Sequence, residues 1–464
     1  MIPPEIIVLI SEHFKFARAA RFLSCFGIVV DANHMPSVVC GISGEQLQTF
    51  VDKGVNHSVR TYSDKMDTPR KGINPAHYFP HLLRLSTRHE MYGSTMTHLQ
   101  IGGITNLQNV LNECMALQCL RVDWRYDTVR DLTLRHPRLV HLYMCGLYTE
   151  GQIVLDMVNL ERLACYGALD KVQVNSKKLK KLFTSNVFSD YELNCVQVVE
   201  CRVRSEQDII RLGQLKPHVL RLRWSNVSVT QYCTIFDAIT VLWCSPQIAS
   251  TLVPFLGHIR TLTVCGNENE DLALIQCKCV LNHLTLIDVY IDCGVLDSFS
   301  NTKSVLFERC NKEKTLDVSA LSRVQEIRSQ QFTGNLVGYE NLTSLRHLHL
   351  FSRQQKLECQ NMRLESLSTD SVGSVLCTTL KKIRMLVLQE GERGFHDLAQ
   401  CTQLEHIDIK YSTSIQFESL LKNIGQLRTI KLKDDLTQDQ EDDMTCRGYR
   451  ISKKSGRVKF SRSI

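Results

Sequence analysis

Apolar residues recur along this chain in one short pattern. The segments CMALQCLRVDW, HPRLVHLYMCG, MVNLERLACYG, LTSLRHLHLFS, CTQLEHIDIKY and IGQLRTIKLKD each read L-x-x-L-x-L, with Ile, Val, Met or a small residue accepted at the last place. Indexed by the middle apolar residue, the copies run Leu99, Leu120, Leu142, Leu163, Leu182, Val199, Leu222, Leu242, Leu262, Leu284, Val305, Ile327, Leu348, Leu367, Leu386, Ile407 and Ile430. Their mean period is about 21 residues. Alternation inside each copy puts the apolar side chains on one face of a strand and the intervening residues on the other. A single strand cannot bury that face, but neighbours stacked in a parallel sheet share one core. A helical stack would need apolar residues at i, i+3, i+4 and i+7 over about ten residues or more. Each cluster here covers about six residues before breaking into polar and turn residues.

The predicted class is α/β: a leucine-rich-repeat solenoid, a parallel sheet of about seventeen short repeats at the short end of the known period range. Coils this short leave room on the return side for a turn of helix or an extended segment. The asparagine that often closes such coils is mostly missing, Asn267 being a rare candidate, so other groups must close them. Only six of the 59 leucines precede residue 91. That asymmetry predicts a helical segment over 1–36, a connector and cap over 37–95 with an irregular strand at 82–86, the repeats over 96–433, and a charged tail or cap over 434–464.

The residue after each indexed position points away from the core, and those residues pave the open face of the sheet. Aromatics and arginines concentrate in the first half of that row. Exposed aromatics with Arg are what binding hot spots favour. A partner surface is therefore expected at Trp124, Tyr143, Tyr166, Phe183, Arg221, Arg223 and Trp243, unless a loop or the 37–95 segment covers it.

Composition narrows the chemistry. The chain has 464 residues and a net charge of +7, which is mild for its size and does not call for a nucleic-acid partner. No apolar run approaches the roughly 18 residues that span a bilayer, and the first residues lack a leader pattern. The 19 cysteines then read as reduced thiols, many of them packed as small hydrophobes, in a cytoplasmic or nuclear protein. No P-loop, G-x-G-x-x-G, H-E-x-x-H or G-x-S-x-G motif occurs. Cys277-x-Cys279 has no second pair at zinc-like spacing, and His347 and His349 read as ordinary open-face histidines. Neither catalysis, a metal nor a cofactor is expected.

The first 30 residues differ from the repeats. Pro3 and Pro4 can open a helix, and Ile6, Ile10 and Phe14 follow at helical spacing. A second short helix is expected from Ala17 to Phe26, with Phe22 and Leu23 on its apolar side. Ile2, Pro3, Glu5, Ile6, Ile10, His13 and Phe14 fall, without gaps, on the pattern L-P-x-E-[ILV]-x-x-x-I-x-x-[YH]-L. The segment resembles the start of an F-box, and its place before the repeats is similar to that of F-box proteins with leucine-rich repeats. Cys114 and Cys401, three residues before a repeat leucine, resemble the cysteine-containing repeat of the same proteins. The resemblance implies a substrate receptor of an SCF-type (cullin–RING) ubiquitin ligase. Ile2, Pro3, Glu5, Ile6, Ile10, Phe14, Phe22 and Leu23 would dock on a Skp-type adaptor attached to a cullin scaffold, and the repeats would hold a protein substrate. Two readings stay open beside it: a plain hydrophobic cap on the solenoid, and a leucine-rich-repeat scaffold with no link to a ligase.

Overall fold

Each repeat copy forms a short strand because its alternating apolar residues have a core on one side only. The computed structural model describes residues 38–40, 61–63, 82–86, 93–102, 107–124, 128–129, 131–149, 151–168, 171–184, 190–191, 196–203, 205–223, 236–272, 275, 277, 279–310, 314–332, 334–350, 357–360, 362–369, 372–376, 379–388, 401–412, 427–432, 438–454 and 457–462. The F-box-like positions from Ile2 to Leu23 lie outside them. The chain divides into two units, Met1–Val227 and Ser228–Ile464. Each is a stack of leucine-rich-repeat coils.

In the first unit the parallel ladder runs from Arg84–Ser86 through His98–Gly102, Cys119–Asp123, His141–Thr149, Arg162–Ala168, Lys181–Thr184 and Val198–Arg202 to Val219–Arg223. Inside the span expected as connector, Val38–Cys40 and Thr61–Ser63 also pair in parallel, the second of them with Arg84–Ser86. Leu99, Leu120, Leu142, Leu163, Leu182, Val199 and Leu220 align across neighbouring strands, and all are buried. The return side carries a second parallel sheet, Leu132–Arg135, Gln152–Asp156, Lys171–Val174 and Asp190–Tyr191. Its Leu134, Ile153, Leu155, Val172 and Val174 close the core from behind. Helices Leu107–Glu113 and Glu206–Leu215 serve other coils. Ser205 and Asp208 form a reciprocal capping box at the start of the second helix.

In the second unit the ladder runs from Val241–Cys244 through Thr261–Leu272, His283–Ile291, Ser304–Glu308, Glu326–Gln330, His347–Leu350, Ser366–Thr369, Lys382–Leu388 and His406–Ser412 to Thr429–Leu432. Its return side mixes the helix Pro246–Leu252, short 3₁₀ turns and two small parallel strand pairs. Past the last repeat, the helix Gln438–Cys446 leads into the hairpin Arg450–Lys454 and Arg457–Ser461. The hairpin pairs antiparallel with Thr429–Leu432 and covers the open edge of the ladder. Phe460, opposite Ile430, is fully buried there.

Among the described residues the coils close without an asparagine ladder. At the head of most strands of the main ladder, two successive backbone N–H groups donate to one carbonyl of the preceding coil; at Ser304 the pair splits, Lys303 donating to Leu281 and Ser304 to Asn282. Gln118 and Cys119 share Thr97, Val140 and His141 share Gln118, and Glu161 and Arg162 share Val140. The same motif recurs in the second unit, from Arg260 and Thr261 on Thr240 to Arg428 and Thr429 on Glu405. Side chains satisfy other turn carbonyls: Ser176 Oγ donates to Leu160 at 2.8 Å, Asn159 Nδ2 to Pro137 at 2.6 Å, and Cys310 Sγ to Leu286 at 3.1 Å. Buried carbonyls are costly unless paired, and the Ser176 and Cys310 side chains meet that need at the Leu160 and Leu286 carbonyls.

This closure fixes the register and corrects two index positions. Val219 shares the Gln197 carbonyl with His218, so Leu220 rather than Leu222 aligns with Val199. Lys382 shares the Glu365 carbonyl with Lys381, so Ile383 rather than Leu386 aligns with Leu367. Both stretches, LRLRW and IRMLVL, hold more apolar residues than one strand needs, and alternation alone does not choose between them.

Candidate protein-binding face

The open face is set by the register. In the first unit, Gln100, Arg121, Tyr143, Ala164, Phe183, Glu200 and Arg221 form one row across adjacent strands. A second row, two residues earlier, holds His98, Cys119, His141, Arg162 and Lys181. Ala164 leaves a gap between Tyr143 and Phe183, and Arg162 fills it from the second row. Its guanidinium carbon sits 5.1 Å from the Tyr143 ring centroid and 4.9 Å from that of Phe183. This is a cation between two aromatic faces. Arg162 Nε is buried and makes no hydrogen bond.

The charge around this stack is consistent with a dense cationic centre. Burial and then Arg162 hold the His141 imidazole below its ordinary range. Burial pushes the Tyr143 hydroxyl and the Cys119 thiol up, against the pull of Arg162. Further along the row, Arg221 pairs at 3.4 Å with the buried carboxylate of Glu200. Towards the start, Arg121 Nε pairs with Asp123 at 3.4 Å, and Gln100 donates to the same carboxylate at 3.3 Å.

The expected surface residues separate under this geometry. Tyr143, Phe183 and Arg221 share one row of the open face, Arg221 taking the place that the index at Leu222 gave to Arg223. Phe183 is nonetheless only 9% exposed, because Arg162 covers its ring. Tyr166 lies beyond that row, opposite Cys145, and is half-buried. Arg223 ends its strand opposite Arg202; its side chain lies outside the described residues. Trp243 belongs to the second unit, where it is half-buried and its indole N–H donates to the Cys265 thiol.

Trp124 is corrected. It shares the inward parity of Leu120 and Val122 and is 7% exposed, so it is core. Its backbone carbonyl lies against Gly146, which sits at φ +74; a Cβ there would meet the Trp124 oxygen at 2.2 Å. Only glycine fits that approach.

From Arg328 onward the open-face row of the second unit is polar, continuing through His349 and Ser368. Glu326 accepts from Arg328 Nε at 2.7 Å and from Ser304 Oγ at 2.9 Å. Burial alone would raise its carboxyl, but those two donors outweigh it and hold the carboxyl below the ordinary range. His349 Nδ1 and Ser368 Oγ share a hydrogen bond of 2.8 Å. Beside them opens a cleft of about 410 Å³, with Ser366, Ser368, Lys382, His406, Asp408, Thr429, Lys431 and Lys459 on its walls. The sequence reading missed Arg162 and this cleft because it followed one row of the face. A small residue between two aromatics, with Arg two positions earlier, was the available signal for Arg162.

Among the described residues no group of three or more His, Cys, Asp or Glu is arranged to hold a metal, and no helix is long and apolar enough to cross a membrane.

Residues 56–184 match the family model described as FBD-associated F-box protein At5g56370, LRR repeats. No curated protein matches the chain. Among solved structures, it resembles a chain of the TLR13–ssRNA13 complex at 12% identity and TM-score 0.43, covering 82% of this chain and 63% of that one. It also resembles the ectodomain of the Arabidopsis thaliana receptor kinase GASSHO1/SCHENGEN3, at 9% identity and TM-score 0.28, covering 83% and 62%. The chain thus spans less than two thirds of either. The pairing, the period and the matched repeats agree: the fold is a leucine-rich-repeat solenoid, and over residues 56–184 its repeats are similar to those that accompany an F-box.

Proposed function

We propose that this chain is the substrate-recognition subunit of an SCF-type ubiquitin ligase in the cytoplasm or nucleus. The observation that carries the reading is the match of residues 56–184 to the leucine-rich repeats of an F-box protein, downstream of a segment with F-box spacing. Ile2, Pro3, Glu5, Ile6, Ile10, Phe14, Phe22 and Leu23 dock on the Skp-type adaptor and, through it, the cullin. The open face around Tyr143, Arg162, Phe183 and Arg221 holds the protein to be modified. The chain performs no bond chemistry. It raises the effective concentration of substrate lysines near the charged conjugating enzyme.

The test is binary and uses the full chain. Purified chain is mixed with recombinant Skp-type adaptor and run on size exclusion, beside a double variant Ile6→Asp/Ile10→Asp. Co-elution of the native chain, lost in the variant at unchanged circular dichroism, is the expected result. A folded native chain that ignores the adaptor leaves the scaffold reading in its place.

A further inference from the structure

We propose that the cleft near the end of the second unit is a docking site for an acidic peptide segment of a partner protein. It deepens the reading of the open face as a partner surface, but it does not depend on the adaptor.

The cleft spans four strands in their hydrogen-bonded order: Lys382–Leu388, His406–Ser412, Thr429–Leu432 and Arg457–Ser461. Register puts Lys382, His406 and Thr429 in one row and Asp408, Lys431 and Lys459 in the next. The only acid on its walls is Asp408, against three lysines. Among the described residues, no carboxylate lies within ion-pair distance of Lys382, Lys431 or Lys459. Charges of one sign gathered in a concavity focus potential and attract the opposite charge.

The local response of His406 agrees with that field. Its imidazole is held below the ordinary range first by burial and then by Lys382; Glu405 opposes the shift, while Arg428 and Lys431 add to it. Ser366 and Thr429 add hydroxyl groups, and Ser368 is already oriented by His349.

Spacing selects the ligand class. Strands lie about 4.8 Å apart, so Lys382 and Lys459 stand roughly 14 Å from one another across the cleft. One phosphate or carboxylate cannot bridge that distance, whereas an extended chain with anions on several residues can. Single-stranded nucleic acid would want aromatic platforms for its bases, and His406 is the only ring on these walls.

The experiment measures fluorescence anisotropy of the full chain with a labelled hexa-aspartate peptide, and with hexa-asparagine as control. Saturable binding of hexa-aspartate alone is expected, weakened at least tenfold in Lys382→Glu/Lys431→Glu. It should also weaken steeply between 50 and 200 mM salt, chosen as roughly bracketing physiological screening. Lys303, an exposed lysine of the same unit, does not line the cleft, so Lys303→Ala should leave this affinity within about twofold. No binding, equal binding by the double variant, tighter binding of oligo-dT, or displacement by equimolar inorganic phosphate would each overturn the proposal. Adaptor co-elution, read on the same protein, reports separately on the ligase assignment.

Discussion

At Ala164 the open-face row loses its bulk, and Arg162 takes the space. Two cation–π contacts at about 5 Å are each worth roughly 0.5–1 kcal/mol. Arg162→Ala should therefore lower unfolding stability by about 1–2 kcal/mol in urea, through lost contacts and an uncovered Phe183. Arg162→Lys should recover only part, because an ammonium on a flexible stem cannot lie flat between two rings. An alanine variant as stable as the native chain would rule out the sandwich. Cysteines give a second residue-scale prediction. Burial above all pushes the thiols of Cys114, Cys277 and Cys310 up to about 11, while Cys446 is exposed. Alkylation of the folded chain at pH 8 should label Cys446 before the other described cysteines and spare those three, whose thiolate fraction is about one in a thousand. A raised thiol pKa favours the fold below the ordinary value of 9.0, and that contribution fades as pH rises from there towards 11. Rapid native labelling of Cys114 or Cys310 would contradict their placement.

At the scale of the coil, the sequence made much of the architecture legible. Period-2 apolar residues at a period of about 21 are direct evidence for strand stacking, and the aligned buried residues follow that index almost throughout. Two registers were ambiguous, at Leu220 and Ile383, because the choice is made by a shared backbone carbonyl that no side-chain pattern encodes. The parity of Trp124 was legible by counting on from Leu120; its aromatic character drew it to the wrong face. The strands at 38–40 and 61–63 are too short to show alternation. The strands of the closing hairpin were hidden because charged residues such as Arg450, Lys454 and Arg457 mask their alternation, so 434–464 read only as a charged tail or cap. Its anchors are Phe460, opposite Ile430, and Tyr449, whose hydroxyl donates to the Leu427 carbonyl at 2.6 Å. Phe460→Ala should cost about 3–5 kcal/mol, read by denaturant unfolding, and should promote association through the uncovered strand Thr429–Leu432. A loss under about 1 kcal/mol would mean the hairpin is not a cap.

For the whole molecule, two kinds of contact are proposed on separate parts of one chain. In the proposed reading, a small apolar segment with F-box spacing docks on the adaptor, and an open repeat face, cationic and aromatic in the first unit, holds the substrate. Interfaces of this kind concentrate their energy in a few aromatic and Arg residues. The two contacts should therefore be separable by mutation. Affinity purification with quantitative mass spectrometry tests this most directly, comparing native chain, Ile6→Asp/Ile10→Asp and Arg162→Glu/Arg221→Glu. The account predicts that the first variant loses adaptor and cullin but keeps other partners, while the second keeps adaptor and cullin and loses at least one partner seen with the native chain. Retention of the adaptor by the first variant, or an unchanged partner set in the second, would contradict it.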